Sequence, residues 1–174
     1  MTEGKVFRTY YVWPRFPSVS ISGGACALSC RHCNKVYLNF MTPTTTPAAL
    51  VKFGEALVKG GNREGLLVSG GCDLEGRMLN LPKFLPALGK LHKMGLIIKL
   101  HTGLVDEKLA RGIAEARVDI ASMEFVGSRE SAMEIFGLDA GPEDYAETFA
   151  HLRDAGVKHI APHVAVGLHK GELL

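Results

Sequence analysis

From residue 17 onward the chain alternates short apolar runs with longer amphipathic ones. Residues 18–22 (SVSIS) predict a strand, and 65–69 (GLLVS) form a continuous apolar run, the pattern of a strand buried on both faces. Residues 96–100, 118–126 and 157–166 repeat the extended pattern. Helical periods lie between them. Residues 47–59 carry Leu50, Phe53, Leu57 and Val58 at helical spacing, with Pro47 at the start and Gly60-Gly61 at the end. Residues 81–94 stop at Gly95, 106–116 open on Asp106 in a capping position, and 142–155 open on Pro142 and stop at Gly156. Five strands and four helices in alternation predict parallel strands joined by right-handed crossovers, an α/β fold. Residues 41–47 (MTPTTTP) read as a loop into the first helix, and residues 1–16 as an extension before one core domain over 17–174.

In parallel α/β barrels the active site gathers at the C-terminal ends of the strands. Those ends carry the reactive residues of this chain. Three cysteines follow the first strand, and Ser69-Gly70-Gly71-Cys72-Asp73 follows the second. His101-Thr102, residues 124–127 and residues 167–169 close the third, fourth and fifth.

Composition narrows the partners. With 174 residues, 47% of them hydrophobic, the chain can bury one sizeable core but not two. Its 20 glycines suit tight strand-to-helix turns and close approach to phosphate or a cofactor. The net charge of +2, without a basic block or interleaved aromatic stripe, points away from nucleic acid. The first residues include Lys5, Arg8 and Arg15 but no apolar stretch of signal-peptide length, and no later run approaches a membrane span. Together with clustered free cysteines, this predicts a reducing cytoplasm.

The densest chemistry is the run Cys26-Ala-Leu-Ser-Cys30-Arg-His-Cys33, preceded by Ser22-Gly23-Gly24, with the fourth cysteine, Cys72, one strand away. Tetrahedral zinc usually takes four ligands as two separated pairs, and disulfides take an even number. Three thiolates on one short loop suit an iron–sulfur cluster that keeps one iron free for a non-protein ligand. The residues alone leave other readings open. One is zinc held by the three thiolates with His32 or Cys72, although His32 lies between two ligands and folds back onto the same ion with difficulty. Others are a ferredoxin-type cluster with Cys72 as fourth ligand, and purely structural thiols. The last is disfavoured because clustered thiolates without metal repel and oxidise.

The C-x3-C-x2-C spacing resembles that of the radical S-adenosylmethionine (SAM) superfamily. The resemblance implies a partial (β/α) barrel, here five parallel strands of a (β/α)6 core truncated at its C-terminus. It implies a [4Fe-4S] cluster on Cys26, Cys30 and Cys33, with SAM on the open iron, reductively cleaved to a 5'-deoxyadenosyl radical. Gly70-Gly71-Cys72-Asp73 resembles the family's GGE motif, with Cys72 in the acid's usual place and Asp73 one residue later. The implied contacts to SAM are Ser69, Gly70, Gly71 and Asp73, His32 beside the adenine, and Gly167 after the fifth strand. His101 and Glu124 are implied near the ribose, a carboxylate or the sulfonium. On their own residues, each has a plainer reading: a glycine turn, a solvent-facing loop histidine, a strand cap for His101, and a Glu124–Arg129 pair.

Further segments (SISGGACALSCRHC, LLVSGGCDLEGR, KLHTGLVDE, PHVAVGLHKGEL) look like a biotin-synthase-like subgroup that includes one subunit of the archaeal-type lipoyl synthase. The likeness implies sulfur insertion at an unactivated C–H bond of an octanoyl group on a lysine. It also implies a ferredoxin- or flavodoxin-type electron donor, and a second radical SAM subunit or a lipoyl-carrier protein as partner. A single cysteine outside the loop cannot readily hold a second, sulfur-donating cluster, so that part is expected elsewhere. The alternatives are a non-catalytic iron–sulfur or zinc-binding module and an inactive core fragment. Among minor residues, His163 reads as strand interior, Glu75–Arg77 as a surface pair, and His169-Lys170 as an anion contact or solvent-facing. Tyr10, Tyr11 and Trp13 read as barrel-bottom packing. The unpaired edge of the last strand predicts a homodimer, or a missing segment that covers it.

Overall fold

The computed structural model describes residues 14–61, 64–168 and 170–171. The chain begins with β1 (Ser18–Ser20), followed by a short helix α1 (Val36–Asn39) and β2 (Thr42–Pro43). Next come α2 (Pro47–Lys59), β3 (Gly65–Ser69), α3 (Leu81–Lys93), β4 (Ile97–His101), α4 (Glu107–Glu115) and β5 (Ile120–Glu124). A one-turn α5 (Arg129–Ser131) runs into a π-helical turn over Ala132–Phe136, then α6 (Pro142–Asp154) and β6 (His159–His163) complete the order. The strands form one six-stranded sheet, β2-β1-β3-β4-β5-β6, parallel at every pairing. This is a partial (β/α) barrel.

The four main helices fall where periodicity places them, within one or two residues. Thr46 caps α2 by accepting from the Ala49 N–H, and Asp106 caps α4 by accepting from the Leu109 N–H at 2.7 Å. The strand count differs by one. Thr42–Pro43, read as loop from sequence, pairs with Val19–Ser20 of β1. Two residues are too few for a period, and one of them is proline, which strands tolerate at edges; β2 is an edge.

The two sheet faces differ in chemistry. Val19, Leu66, Val68, Ile98, Leu100, Ala121 and Met123 are fully or almost fully buried. They join Leu50 of α2, Phe84, Leu88 and Leu91 of α3, Ile113 of α4 and Leu152 of α6 in one core. On the opposite face the register aligns Ser18 with Leu67, Leu67 with Lys99, and Lys99 with Ile120. Leu67 lines a cavity there and is only half-buried, so the apolar run of β3 covers one packed face and one cavity wall. The residues expected at the foot of the barrel, Tyr10, Tyr11 and Trp13, lie outside the described residues. No helix among the described residues is long and apolar enough to cross a membrane.

Candidate functional site

A cavity of about 440 Å³ opens at the C-terminal ends of the strands. That is within the usual range for a small-molecule or cofactor site. One wall is the loop after β1, contributing Cys26, Cys30, His32 and Cys33. A second is the end of β3, with Ser69, Gly70, Gly71 and Cys72. The far side comes from His101 at the end of β4, Thr102 just after it and Glu124 of β5, and the rim from Phe136, Leu138 and Tyr145.

The cysteine loop is held from two directions. Toward β3, the Ala27 N–H donates to the Cys72 carbonyl at 2.7 Å, and the Gly71 N–H donates to Ser22 Oγ at 2.7 Å. The Cys72 N–H points at Cys26 Sγ from 3.3 Å. Toward the π-helical turn, the Arg31 N–H donates to the Ile135 carbonyl at 2.7 Å. The Cys30 thiol faces the Phe136 carbonyl at 3.9 Å, and the Phe136 ring meets His32 edge-on at 4.9 Å. Within the loop, the Cys33 and Asn34 N–H groups both donate to the Cys30 carbonyl.

All four cysteines are free and half-buried. Burial raises the Cys30 pKa, and the neighbouring Cys26 and Cys33 charges push it the same way. Burial pushes the Cys72 thiol up to about 12, with Cys26 and Cys30 adding to it. Mutual repulsion of this kind is relieved by a cation or cationic cluster between the thiolates.

Gly71 is required by packing. A Cβ there would collide with the Ala25 carbonyl oxygen and with Cys26 itself. Gly70 has more room, since a methyl group at that position would meet Ser22 Oγ first, at 3.2 Å. The carboxylate of Asp73 turns away from the cavity into its own loop. Its Oδ1 accepts from the Glu75 N–H at 3.0 Å and the Arg77 N–H at 2.8 Å, an Asx-type turn. Arg77 lies 4.0 Å from Glu75, the surface pair expected from sequence. Gly167 sits at a positive φ of 83° in a turn after β6, and does not line the cavity. His169 lies outside the described residues.

Glu124 has no part in an Arg129 pair. Arg129 instead engages Asp139 at 2.6 Å, Glu143, and Asp144 at 3.3 Å. Glu124 Oε1 stands between two imidazoles, 3.7 Å from His101 Nε2 and 3.8 Å from His163 Nδ1. The second histidine, read as strand interior, closes β6 on the cavity-facing side. The pattern that could have located it is the strand end itself, since His101, Glu124 and His163 are the last residues of three successive strands. His101 is held neutral near ordinary pH. Burial lowers its pKa to about 4, and the nearby His163 and Lys99 charges act in the same direction.

A parallel partial barrel with a three-cysteine loop at the mouth of a cofactor-sized cavity is the class that the fold and site define. Among solved structures, the chain is similar to HydG, a maturase of the [FeFe]-hydrogenase, with a TM-score of 0.65 at 14% identity. The match covers 88% of this chain and 36% of that one, so the chain spans about a third of the length of HydG. At that identity the likeness is one of fold. No protein-family profile and no curated protein sequence matches the chain.

Proposed function

We propose that the chain is a radical SAM enzyme in which Cys26, Cys30 and Cys33 hold a [4Fe-4S] cluster. The observation that carries the reading is the placement of all three cysteines on one loop at the mouth of the cavity, beside the glycine-rich end of β3. The fold likeness to a hydrogenase maturase supports it. Bound there with SAM, such a cluster supplies a 5'-deoxyadenosyl radical able to take hydrogen from an unactivated C–H bond, which no protein side chain can do. The protein's own residues bind and shield. Ser69 and Gly70 offer a close backbone approach at the cavity wall, His32 is oriented by Phe136, and Leu67, Leu138 and Met78 keep the interior apolar and exclude water.

The finer reading is sulfur insertion into an octanoyl group on a lysine. It rests on the resemblance of the quoted segments to the lipoyl-synthase-like subgroup, and it brings a ferredoxin- or flavodoxin-type donor, a lipoyl-carrier protein and a cytoplasmic setting with it.

Anaerobic reconstitution followed by SAM and dithionite tests the class. The expected product is 5'-deoxyadenosine. Cys26→Ala, Cys30→Ala and Cys33→Ala each lose iron and product, while Cys72→Ala keeps its iron. Equal iron loss in Cys72→Ala would mean a cluster with four protein ligands and no iron open to SAM.

A further inference from the structure

We propose that His101, Glu124 and His163 form a second site, for one first-row divalent cation of the Zn²⁺ or Fe²⁺ kind, separate from the cysteine loop.

The sheet register builds it. His101 is the Cα partner of Ser122, and Glu124 is the partner of His163. Side chains two residues apart on a strand share a face, so Ser122 and Glu124 point the same way. The ends of β4, β5 and β6 therefore aim an imidazole, a carboxylate and an imidazole at one point. Their ligand atoms all lie within 4.8 Å of one another. The two contacts to Glu124 Oε1, at 3.7 and 3.8 Å, are too long for hydrogen bonds, so the three groups converge without bonding one another. Ligands about 2.1 Å from a tetrahedral or octahedral ion stand about 3.0–3.5 Å apart. The two Glu124 contacts exceed that range by a few tenths of an ångström and the widest separation, up to 4.8 Å, by about 1.3 Å, so the side chains must turn inward to close on an ion.

The outer contacts suit ligation as well. His101 Nδ1 faces Ser122 Oγ at 3.4 Å, and Ser122 Oγ lies 3.5 Å from the Leu100 carbonyl. That bond orients the ring and leaves Nε2 toward Glu124, the usual arrangement behind a metal-bound imidazole. The His101 and His163 rings lie 5.3 Å apart between centroids, tilted by 35°, which lets both present a nitrogen to the same ion. Two imidazoles and one carboxylate are the donor set of catalytic zinc and of non-haem iron, with coordination positions left open. His101 and Glu124 also line the cavity, so those open positions would face a bound anionic group of a substrate. The proposal takes both residues away from the SAM contacts that the family resemblance implies. It goes beyond the cysteine-based function and does not depend on it.

Anaerobic Co²⁺ titration of the full chain tests it, because thiolate ligation gives intense charge-transfer absorption whereas nitrogen–oxygen ligation gives only weak visible bands. One Co²⁺ per chain with a nitrogen–oxygen spectrum is expected. Affinity should fall at least tenfold in His163→Ala and in Glu124→Gln, and stay unchanged in His159→Ala, an exposed histidine on the same strand. Circular dichroism checks that the variants fold. A rise in Tm on adding Zn²⁺, present in the parent and absent in His163→Ala, gives a second readout. Nitrogen–oxygen Co²⁺ binding that survives both substitutions, or none at all in the folded parent, would overturn the site. Neither result touches the cysteine cluster, which is read separately by iron and sulfide counts.

Discussion

At the scale of single residues, Gly71 joins two walls of the site. Its N–H holds Ser22 Oγ, and its missing side chain is what lets Ala25 and Cys26 lie against the end of β3. A side chain at this position has to push the cysteine loop away, since backbone atoms are in the path and cannot swing aside like a flexible side-chain tip. Gly71→Ala is therefore expected to lower iron content, by half or more, along with any SAM binding. Gly70→Ala, with its nearest neighbour at 3.2 Å, is expected to keep its iron. Iron and sulfide counts on the two purified variants decide between them. Equal iron in both would reduce Gly71 to an ordinary turn residue. The cysteines were legible in the sequence because spacing on one loop survives any fold. Asp73 was not, because an acid beside a glycine pair looks the same whether its carboxylate faces a ligand or closes the turn around Glu75 and Arg77.

At the scale of elements, the helices were the most legible part. Periodicity, Pro47 and Pro142 at helix starts, and Asp106 as a cap each name a boundary that the structure keeps. Strands were legible as cores and not at their ends, and β2 was too short to see. The last strand also hides a feature in plain view. In a parallel ladder alternate residues bond to the same neighbour, and the His163 carbonyl accepts from the N–H of Phe125, the residue just after β5. Pro162 therefore occupies a position facing outward, where it has no N–H to offer a further strand. Val164 and Val166 just beyond are 70% and 76% exposed. The proline blunts strand addition while the valines favour apolar contact. Pro162→Val is expected to raise the mass measured by light scattering during chromatography, and Val164→Asp to lower any self-association of the parent. An unchanged mass in Pro162→Val would mean that the outer edge is guarded by something else.

At the scale of the whole molecule, the polar inner face makes stability depend on acidity. His101 has a pKa of about 4 in the folded protein against 6.5 for the free side chain. Between those values the unfolded chain takes up a proton that the folded chain refuses, so the folded state loses ground as pH falls from about 6.5 toward 4. Above that window His101 is neutral in both states and adds no pH dependence. The full loss is on the order of 3 kcal/mol. Thermal unfolding of chelator-treated protein across this range is expected to show Tm falling with pH, and His101→Asn to flatten the slope. A flat profile in the parent would mean that His101 titrates as a solvent-exposed imidazole does.

The cysteine loop leans on a segment far along the chain, with Cys30 and Phe136 separated by 106 positions. During synthesis at ~5–20 residues per second, the loop would leave the ribosome about 5–20 s before the turn that shelters it has been made. For that interval three thiols stand in the nascent chain without their wall, open to oxidants. In a cell, the yield of intact protein would then be set by how reducing the first seconds of its existence are, before any cofactor arrives.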